Sequence, residues 1–202
     1  MNSIEGFILA GGNSSRMGKD KSRLILDGKT FVGRIAEELI SLVDSVKIIG
    51  KHSEQELNLP SVPDIYPGWG ALGGVHAALA ACNAQWAAIV ACDLPFISRT
   101  LIARLASLRE NAAAVAPIQG DGRPQPLCAL YQVVPCLHQA EQLIKSGERR
   151  PVALLQSVGT RWVSFSEIED LAGADRFFDN INTPQDYVRA TQKGERFGPA
   201  MN

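Results

Sequence analysis

Apolar positions along this chain fall into two rhythms. Ile4–Ala10 (IEGFILA), Ser45–Gly50 (SVKIIG), Trp86–Ala91 (WAAIVA), Ala112–Ala116 and Leu127–Val133 are short apolar runs bounded by turn residues. Such runs predict strands covered on both faces. Between them, Thr30–Val43 places Phe31, Ile35, Leu39 and Val43 four apart, the stripe of an amphipathic helix. Gly73–Asn83 is Ala-rich and opens on two glycines, which predicts a tightly packed helix. Ser98 is positioned to cap a helix from about Arg99 to Glu110. Further on, Pro135–Lys145 and Val152–Ser157 read as helices, Arg161–Phe165 as a strand and Phe177–Asn180 as a further short strand. Gln119–Gln125 reads as a turn or mobile loop. Thr183 caps a last helix through about Lys193, with Pro184 at its first position, and the final residues read as frayed.

Strands alternating with helices across short joins predict the α/β class. The expected architecture is doubly wound: a mostly parallel sheet with helices on both faces, in a Rossmann-like arrangement. No linker rich in Gly, Ser or Pro and no repeat divides the chain, so one domain over residues 1–202 is expected.

Composition narrows the choice of partners. The chain has 202 residues, 46% of them hydrophobic, with 20 Lys and Arg against 21 Asp and Glu. A net charge of −1 gives no general attraction to nucleic acid or an anionic membrane, so any anion site is local. No apolar run reaches the ~20 residues of a membrane span, and the N-terminus lacks a basic, signal-like start. Cys82, Cys92, Cys128 and Cys136 form no CxxC pair and sit among Ala, Leu or Val. Buried thiols in a reducing cytoplasm are expected, not a disulfide framework or a zinc site. His52, His76 and His138 are scattered and are read as surface or hydrogen-bonded side chains without a catalytic role.

The densest chemistry is Leu9–Lys21, LAGGNSSRMGKDK. It follows the first strand and holds Gly11, Gly12 and Gly18 together with Arg16, Lys19 and Lys21. Glycines allow backbone N–H groups to approach an anion, and the cations meet phosphate oxygens. The alternative is an ordinary strand–helix turn with solvated cations. The spacing is not that of a Walker A loop: the glycine before Gly18-Lys19 lies one residue too far back, and Asp20 occupies the place of the metal-binding hydroxyl. Asp93 ends the strand WAAIVAC, where a carboxylate completes a Mg²⁺ shell that phosphate oxygens and water otherwise fill. The alternative is an aspartate that caps the next turn. Asp64 precedes Tyr66-Pro67-Gly68-Trp69-Gly70, a glycine-rich start to a helix or a plain turn. Asn180 and Asn182 share one face of the short strand expected there, or they are turn-forming residues before an Asn-Thr-Pro cap.

The pattern L-A-G-G-x-S-x-R-M-G-x-D-K resembles the signature of nucleotidyltransferases, and within them the molybdenum cofactor guanylyltransferases. The resemblance runs from Phe7 to about Ala190 and is dense at the first loop, around Asp93 and at Asn180–Pro184. It implies that Leu9, Ala10, Gly11 and Gly12 line a guanosine pocket and that Lys21 contacts triphosphate and acceptor. It further implies that Arg16 neutralises phosphate charge, that Asp64 contacts the nucleotide and that Asp93 holds Mg²⁺. Asn180 and Asn182 fall on the acceptor side. Arg149 and Arg150, in Gly147-Glu148-Arg149-Arg150, are placed either to meet the acceptor's phosphate or as solvated helix-end residues. The family position near Ile49 offers only backbone here, and Ala71 stands where the family usually has proline.

The implied reaction is transfer of GMP from GTP to the terminal phosphate of molybdopterin in the cytoplasm. The implied protein contacts are transient, with proteins that supply molybdopterin or mature molybdoenzymes. A cytidylyltransferase for the same acceptor is the nearest rival; such enzymes tend to read L-A-A-G where this chain has Leu9-Ala10-Gly11-Gly12. A sugar-1-phosphate nucleotidyltransferase shares the first loop but fits Asn180–Pro184 poorly. A non-catalytic GTP-sensing adaptor is the rival from another class, and retention of both Lys21 and Asp93 speaks against it.

Overall fold

The computed structural model describes residues 3–10, 24–50 and 58–194. The apolar runs become strands β1 (Ile4–Leu9), β4 (Val46–Ile49), β6 (Trp86–Ala91), β7 (Ala114–Pro117), β8 (Cys128–Gln132) and β9 (Thr160–Val163). Two-residue strands β2 (Ile25–Leu26) and β3 (Lys29–Thr30) form a hairpin, and β5 (Ser61–Val62) edges the main sheet. The helices are α1 (Phe31–Ile40), α2 (Gly70–Ala81), α3 (Arg99–Ser107), α4 (Val133–Lys145), α5 (Pro151–Ser157) and α6 (Pro184–Gly194).

The seven-stranded sheet has the order β5-β4-β1-β6-β8-β7-β9. Its neighbours pair in parallel except at β8, which is antiparallel to both β6 and β7. The chain leaves β1 for β4 on one side and returns to β6 on the other. The strand order therefore reverses between β1 and β6, the crevice where open α/β sheets bind ligands.

Alternation along the strands splits the core. Ile8, Ile48, Val90 and Leu130 pack with Val32, Ile35 and Leu39 of α1 and Leu101 and Leu105 of α3. Phe7, Leu9, Ile89 and Tyr131 pack with Leu72, Val75 and Leu79 of α2, with Ala140 and Ile144 of α4 and with Leu154 and Leu155 of α5. Both faces are thus covered, as the continuous apolar runs predict. A third, smaller cluster joins Leu26 of the hairpin, Phe31, Ile181 and Ala190.

The predicted cap at Ser98 is present, and Thr30, read as the first residue of its helix, caps α1 in the same way: each side chain accepts the N–H three residues on. Thr183 and Asp186 cap α6 reciprocally, at 3.1 and 2.9 Å. Several expectations change. Phe177–Asn180 is not a strand; Phe177 closes a single 3-10 turn, Ala174–Arg176, and the segment crosses to the Asp93 loop. α2 begins at Gly70 and α4 at Val133, before the positions expected. Pro135 fits in the first turn of α4, where no intrahelical N–H is needed. The Asp27-Gly28 hairpin, with φ of 49° and 78°, went unread although Asp-Gly is a strong turn signal. Gln119–Gln125 is a closed turn, with Gln119 N–H donating to Arg123 O at 2.9 Å.

Candidate functional site

Every strand of the main sheet except β8 ends on one rim, and the functional candidates follow that rim in order. The Asp64–Trp69 loop follows β5 at one edge. Ala10 leaves β1 near the middle, Asp93 leaves β6 beside it, and the Gln119–Gln125 turn follows β7 on the far side.

Leu9 and Ala91 are register partners, and Cys92 N–H donates to Leu9 O at 3.1 Å. Ala10 and Asp93 therefore leave neighbouring strands at nearly the same level, on chains ~5 Å apart. The Leu9 side chain is buried among the α2-side core residues and lies against Gly74, so it is a packing element of the core. Ala10 is half-buried, with its N–H given to Ile49 O. Gly11, Gly12, Arg16, Lys19 and Lys21 lie outside the described residues, as does His52.

Asp93 is half-buried in a turn that Leu94 N–H closes on Ala91 O. Its loop is fastened from three directions. Ile181 N–H donates to Asp93 O at 3.0 Å, and Arg34 of α1 donates to Pro95 O at 3.4 Å. The Arg176 guanidinium lies 3.7 Å from the centre of the Phe96 ring. The donor chemistry fits a hard divalent cation: one carboxylate on the rim, with no group of three His, Cys, Asp or Glu side chains among the described residues to make a cage. A cation there takes its remaining ligands from phosphate oxygens and water.

Asp64 is half-buried and accepts the Tyr66 N–H at 3.1 Å, an Asx turn. Its loop is seated on α2 and held from outside. A Cβ at Gly73 would meet Trp69 Cβ at 3.0 Å and Tyr66 O at 3.2 Å, so only glycine lets the helix come this close. Trp69 Nε1 donates to Glu148 O at 2.9 Å, and Arg149 stacks on the Trp69 ring at 4.8 Å. Arg149 is thereby a brace for the Asp64 loop, which neither sequence reading of it anticipated. Arg150 instead pairs with Glu148 at 2.7 Å and is exposed. The Glu148 carboxyl is held down to about 2 by that side-chain bond and by the Arg149 and Arg150 N–H groups.

Asn180 and Asn182 are exposed on either side of Ile181, which is buried. The period-two alternation is real although no strand forms, because Ile181 plugs the third cluster while its N–H binds Asp93 O. His76, expected to be at the surface or hydrogen-bonded, is neither. The residue is 3% exposed, both ring nitrogens lack a hydrogen-bond partner, Nε2 lies 3.7 Å from Glu141 Oε1, and the ring meets Tyr66 edge-on at 4.9 Å. Helix α2 is so closely covered by the Asp64 loop and α4 that a polar ring is enclosed with them. Of the four thiols, Cys128 and Cys136 are buried, whereas Cys82 and Cys92 are only half-buried. Burial pushes the Cys128 and Cys136 thiols up to about 12.

The sequence did not single out Arg34, Trp69, Phe96 or Arg176. Each acts through a partner 61 to 80 positions away, and no local spacing marks such pairs.

Comparison with known proteins identifies the family. A family model described as the MobA-like NTP transferase domain matches residues 6–160. The chain belongs to this family. It is therefore a nucleotidyltransferase, and the MobA-like domain spans the sheet from β1 to the start of β9. A probable molybdenum cofactor guanylyltransferase of Pelotomaculum thermopropionicum is 34% identical over 194 residues, covering 94% of this chain and 93% of that one. A molybdenum cofactor guanylyltransferase of Yersinia pestis is 33% identical over 188 residues, 91% and 92% of the two chains. In three dimensions this MobA-like transferase resembles the molybdopterin-guanine dinucleotide biosynthesis protein A of Archaeoglobus fulgidus. The TM-score is 0.80 at 22% identity, over 96% of this chain and 100% of that one. The 2-C-methyl-D-erythritol 4-phosphate cytidylyltransferase of Thermus thermophilus shares the fold at a TM-score of 0.68 and 17% identity, over 94% and 98% of the two chains.

Proposed function

We propose that this chain transfers GMP from GTP to the terminal phosphate of molybdopterin, giving molybdopterin guanine dinucleotide and pyrophosphate. The observation that carries the reading is the junction of Ala10, Asp93 and Ile181. The strand that leads into LAGGNSSRMGKDK, the rim carboxylate and the Asn180–Asn182 segment meet there through two backbone hydrogen bonds, Cys92 N–H to Leu9 O and Ile181 N–H to Asp93 O. Relatives named as guanylyltransferases across nine-tenths of the chain support guanine as the base and molybdopterin as the acceptor.

The N-terminal part of the single domain takes the nucleotide, and the C-terminal part takes the acceptor. Gly11 and Gly12, next in the chain after Ala10, offer backbone N–H groups to the nucleotide, and Asp64 receives the nucleoside. Asp93 holds Mg²⁺, which supplies charge neutralisation on the triphosphate when bound. An acceptor phosphate oxygen forms the new bond to the α-phosphorus. The bond from that phosphorus to the bridging oxygen breaks, and its electron pair leaves on pyrophosphate. The nucleophile is largely ionised near neutral pH, with a second pKa of about 6, so the chain supplies no strong base. Lys21 and Arg16 offset the repulsion between two anions and stabilise the transferring group, while Asn180 and Asn182 position the acceptor. Transient contact with molybdopterin-supplying or molybdoenzyme-maturing proteins in the cytoplasm belongs to the same reading.

Two measurements test it. Calorimetric titration with GTP, CTP and UTP in the presence of Mg²⁺ should show preference for GTP; preference for CTP replaces the base assignment. Pyrophosphate release from GTP and molybdopterin should be Mg²⁺-dependent and should vanish in Asp93→Ala with the melting curve retained. Near-normal release by that variant refutes the metal assignment, and nucleotide binding without any release favours the sensing adaptor.

A further inference from the structure

One buried titratable side chain has no part in the transfer chemistry. His76 of α2 is enclosed between the Asp64–Trp69 loop and α4, and neither of its ring nitrogens has a hydrogen-bond partner among the described residues. Its ring meets Tyr66 edge-on, with centroids 4.9 Å apart and planes at 76°. Tyr66 is the residue on which the loop is fastened. Its N–H is held by the Asp64 carboxylate at 3.1 Å, and its carbonyl accepts the Trp69 N–H at 3.0 Å. His76 thus bears on the residue whose backbone sets the Asp64 side chain. Enclosed as it is, the imidazole acts on a bound nucleotide only through Tyr66.

A neutral imidazole has one N–H to give and one lone pair to fill, and leaving both unmet in the interior is costly. A proton makes both nitrogens donors. One carboxylate is placed to answer that charge. Glu141 Oε1 of α4 is 3.7 Å from His76 Nε2, too far for a hydrogen bond and within reach of an ion pair. The other partner of Glu141 among the described residues is Lys145, exposed and 3.8 Å away. The remaining titratable groups on the elements packed against α2 are committed or exposed. Asp64 holds Tyr66, Glu148 holds Arg150, Glu5 holds Lys47, and Arg149 lies on Trp69. The Cys136 thiol is given to Ala113 O and the Cys82 thiol to Ala84 O. His138 of α4 is exposed, and α5 carries no titratable side chain.

We propose that His76 is a positioning residue for the nucleotide: as an uncharged ring it seats Tyr66, and with it Asp64, and on protonation it turns to Glu141 and releases them. This role rests on the reading above, in which Asp64 receives the nucleoside. Its sign follows from linkage. The seated loop prefers the uncharged ring, so bound nucleotide and the ring's proton exclude one another. GTP affinity is therefore complete in mildly alkaline solution and falls as pH drops through the range where the free protein takes up this proton.

The test is calorimetric GTP titration of the full chain with Mg²⁺ from about pH 8 to about pH 5.5, the span in which histidine exchanges its proton. His76→Phe keeps a buried ring without nitrogens, and Glu141→Gln removes the answering carboxylate at a half-buried position. Each chain is compared with its own affinity at the upper pH, and the protonation of GTP itself is common to all three. The fall should be about tenfold larger in the unsubstituted chain than in His76→Phe, since one displaced proton changes a binding constant by up to about tenfold per pH unit. Glu141→Gln should fall less than the unsubstituted chain. Superimposable profiles for the unsubstituted chain and His76→Phe overturn the proposal. Should His76→Phe not fold, Glu141→Gln decides, and a profile identical to that of the unsubstituted chain overturns it. Failure of the underlying reading is separately visible: the unsubstituted chain then binds no GTP at any pH.

Discussion

Gly73 and Gly74 stand side by side in α2, and the structure assigns opposite signs to the same substitution at the two. An alanine in a helix interior gains about 0.5–1 kcal/mol over glycine, from helix propensity and from lower entropy of the unfolded chain. At Gly74 the added Cβ meets only Leu9 Cδ1 and Cδ2, at 3.5 and 3.6 Å, which is ordinary contact. The gain should be realised, with a rise in Tm of about 1–4 °C at the roughly 2–4 °C per kcal/mol expected of a chain this size. At Gly73 the Cβ comes to 3.0 Å from Trp69 Cβ and 3.2 Å from Tyr66 O. Neither neighbour yields easily. Tyr66 O accepts the Trp69 N–H at 3.0 Å, and the Trp69 indole is fixed by Glu148 O and Arg149. Overpacking of this kind costs about 1–3 kcal/mol, more than the propensity gain. Gly73→Ala should therefore lose about 1 kcal/mol net and lower Tm by about 2–4 °C. It should also weaken GTP binding by displacing Asp64, whose Oδ1 lies 3.4 Å from the same Cβ position. Melting followed by circular dichroism and GTP calorimetry, run on both variants together, decides it. A Gly73→Ala protein that melts at or above Gly74→Ala, with GTP affinity intact, refutes the tight seating of the Asp64 loop.

Other outcomes follow from individual groups. Lys21→Ala should raise the barrier by about 2–4 kcal/mol, a loss of roughly 30- to 1000-fold in kcat; a loss under tenfold in single-turnover assays means that Lys21 is only solvated. Glu5 is buried, which opposes its ionisation, yet the Lys47 ammonium at 2.9 Å and the Asn83 N–H at 3.1 Å hold its carboxyl below the usual 4.5. With the folded value depressed, the stabilisation is complete above pH 4.5 and drains as pH falls through the folded value. Glu5→Gln should therefore flatten the fall in urea midpoint below pH 4.5, and because it leaves the Lys47 ammonium of a buried pair without its carboxylate it should cost about 3 kcal/mol at neutral pH; superimposable midpoint–pH curves would contradict this. The raised Cys128 and Cys136 thiols should stay unmodified when the native chain is alkylated at pH 8 and its peptides are mapped. Labelling of Cys128 as fast as in urea would show that the β6–β8 core opens freely.

The sequence by itself determined which segments are strands and helices wherever burial imposes a period. Trp86–Ala91 is apolar throughout because both its faces are covered, and Phe31, Ile35 and Leu39 repeat because one side of α1 is. The caps at Ser98 and Thr183 were legible for a similar reason: a helix start requires its partner within three residues. The glycine- and cation-rich sequence after β1 and the rim position of Asp93 belong to the same class, since glycine, cation and strand end are neighbours along the chain. Tertiary structure alone decided the rest. The reversed direction of β8 depends on pairing with β6 and β7, which periodicity does not encode. Asn180–Asn182 alternates in burial without being a strand, because its one buried side chain and one N–H are claimed by α6's cluster and the Asp93 loop. Arg149 was read as an acceptor-phosphate contact or a solvated helix-end charge and Arg176 was not singled out; folding laid them on Trp69 and Phe96, 80 residues away in each case. Local signals survive in a sequence when the groups that satisfy each other lie within a turn or two. When they meet only across the sheet's rim, chain entropy is overcome by the whole core, and no short stretch carries the record.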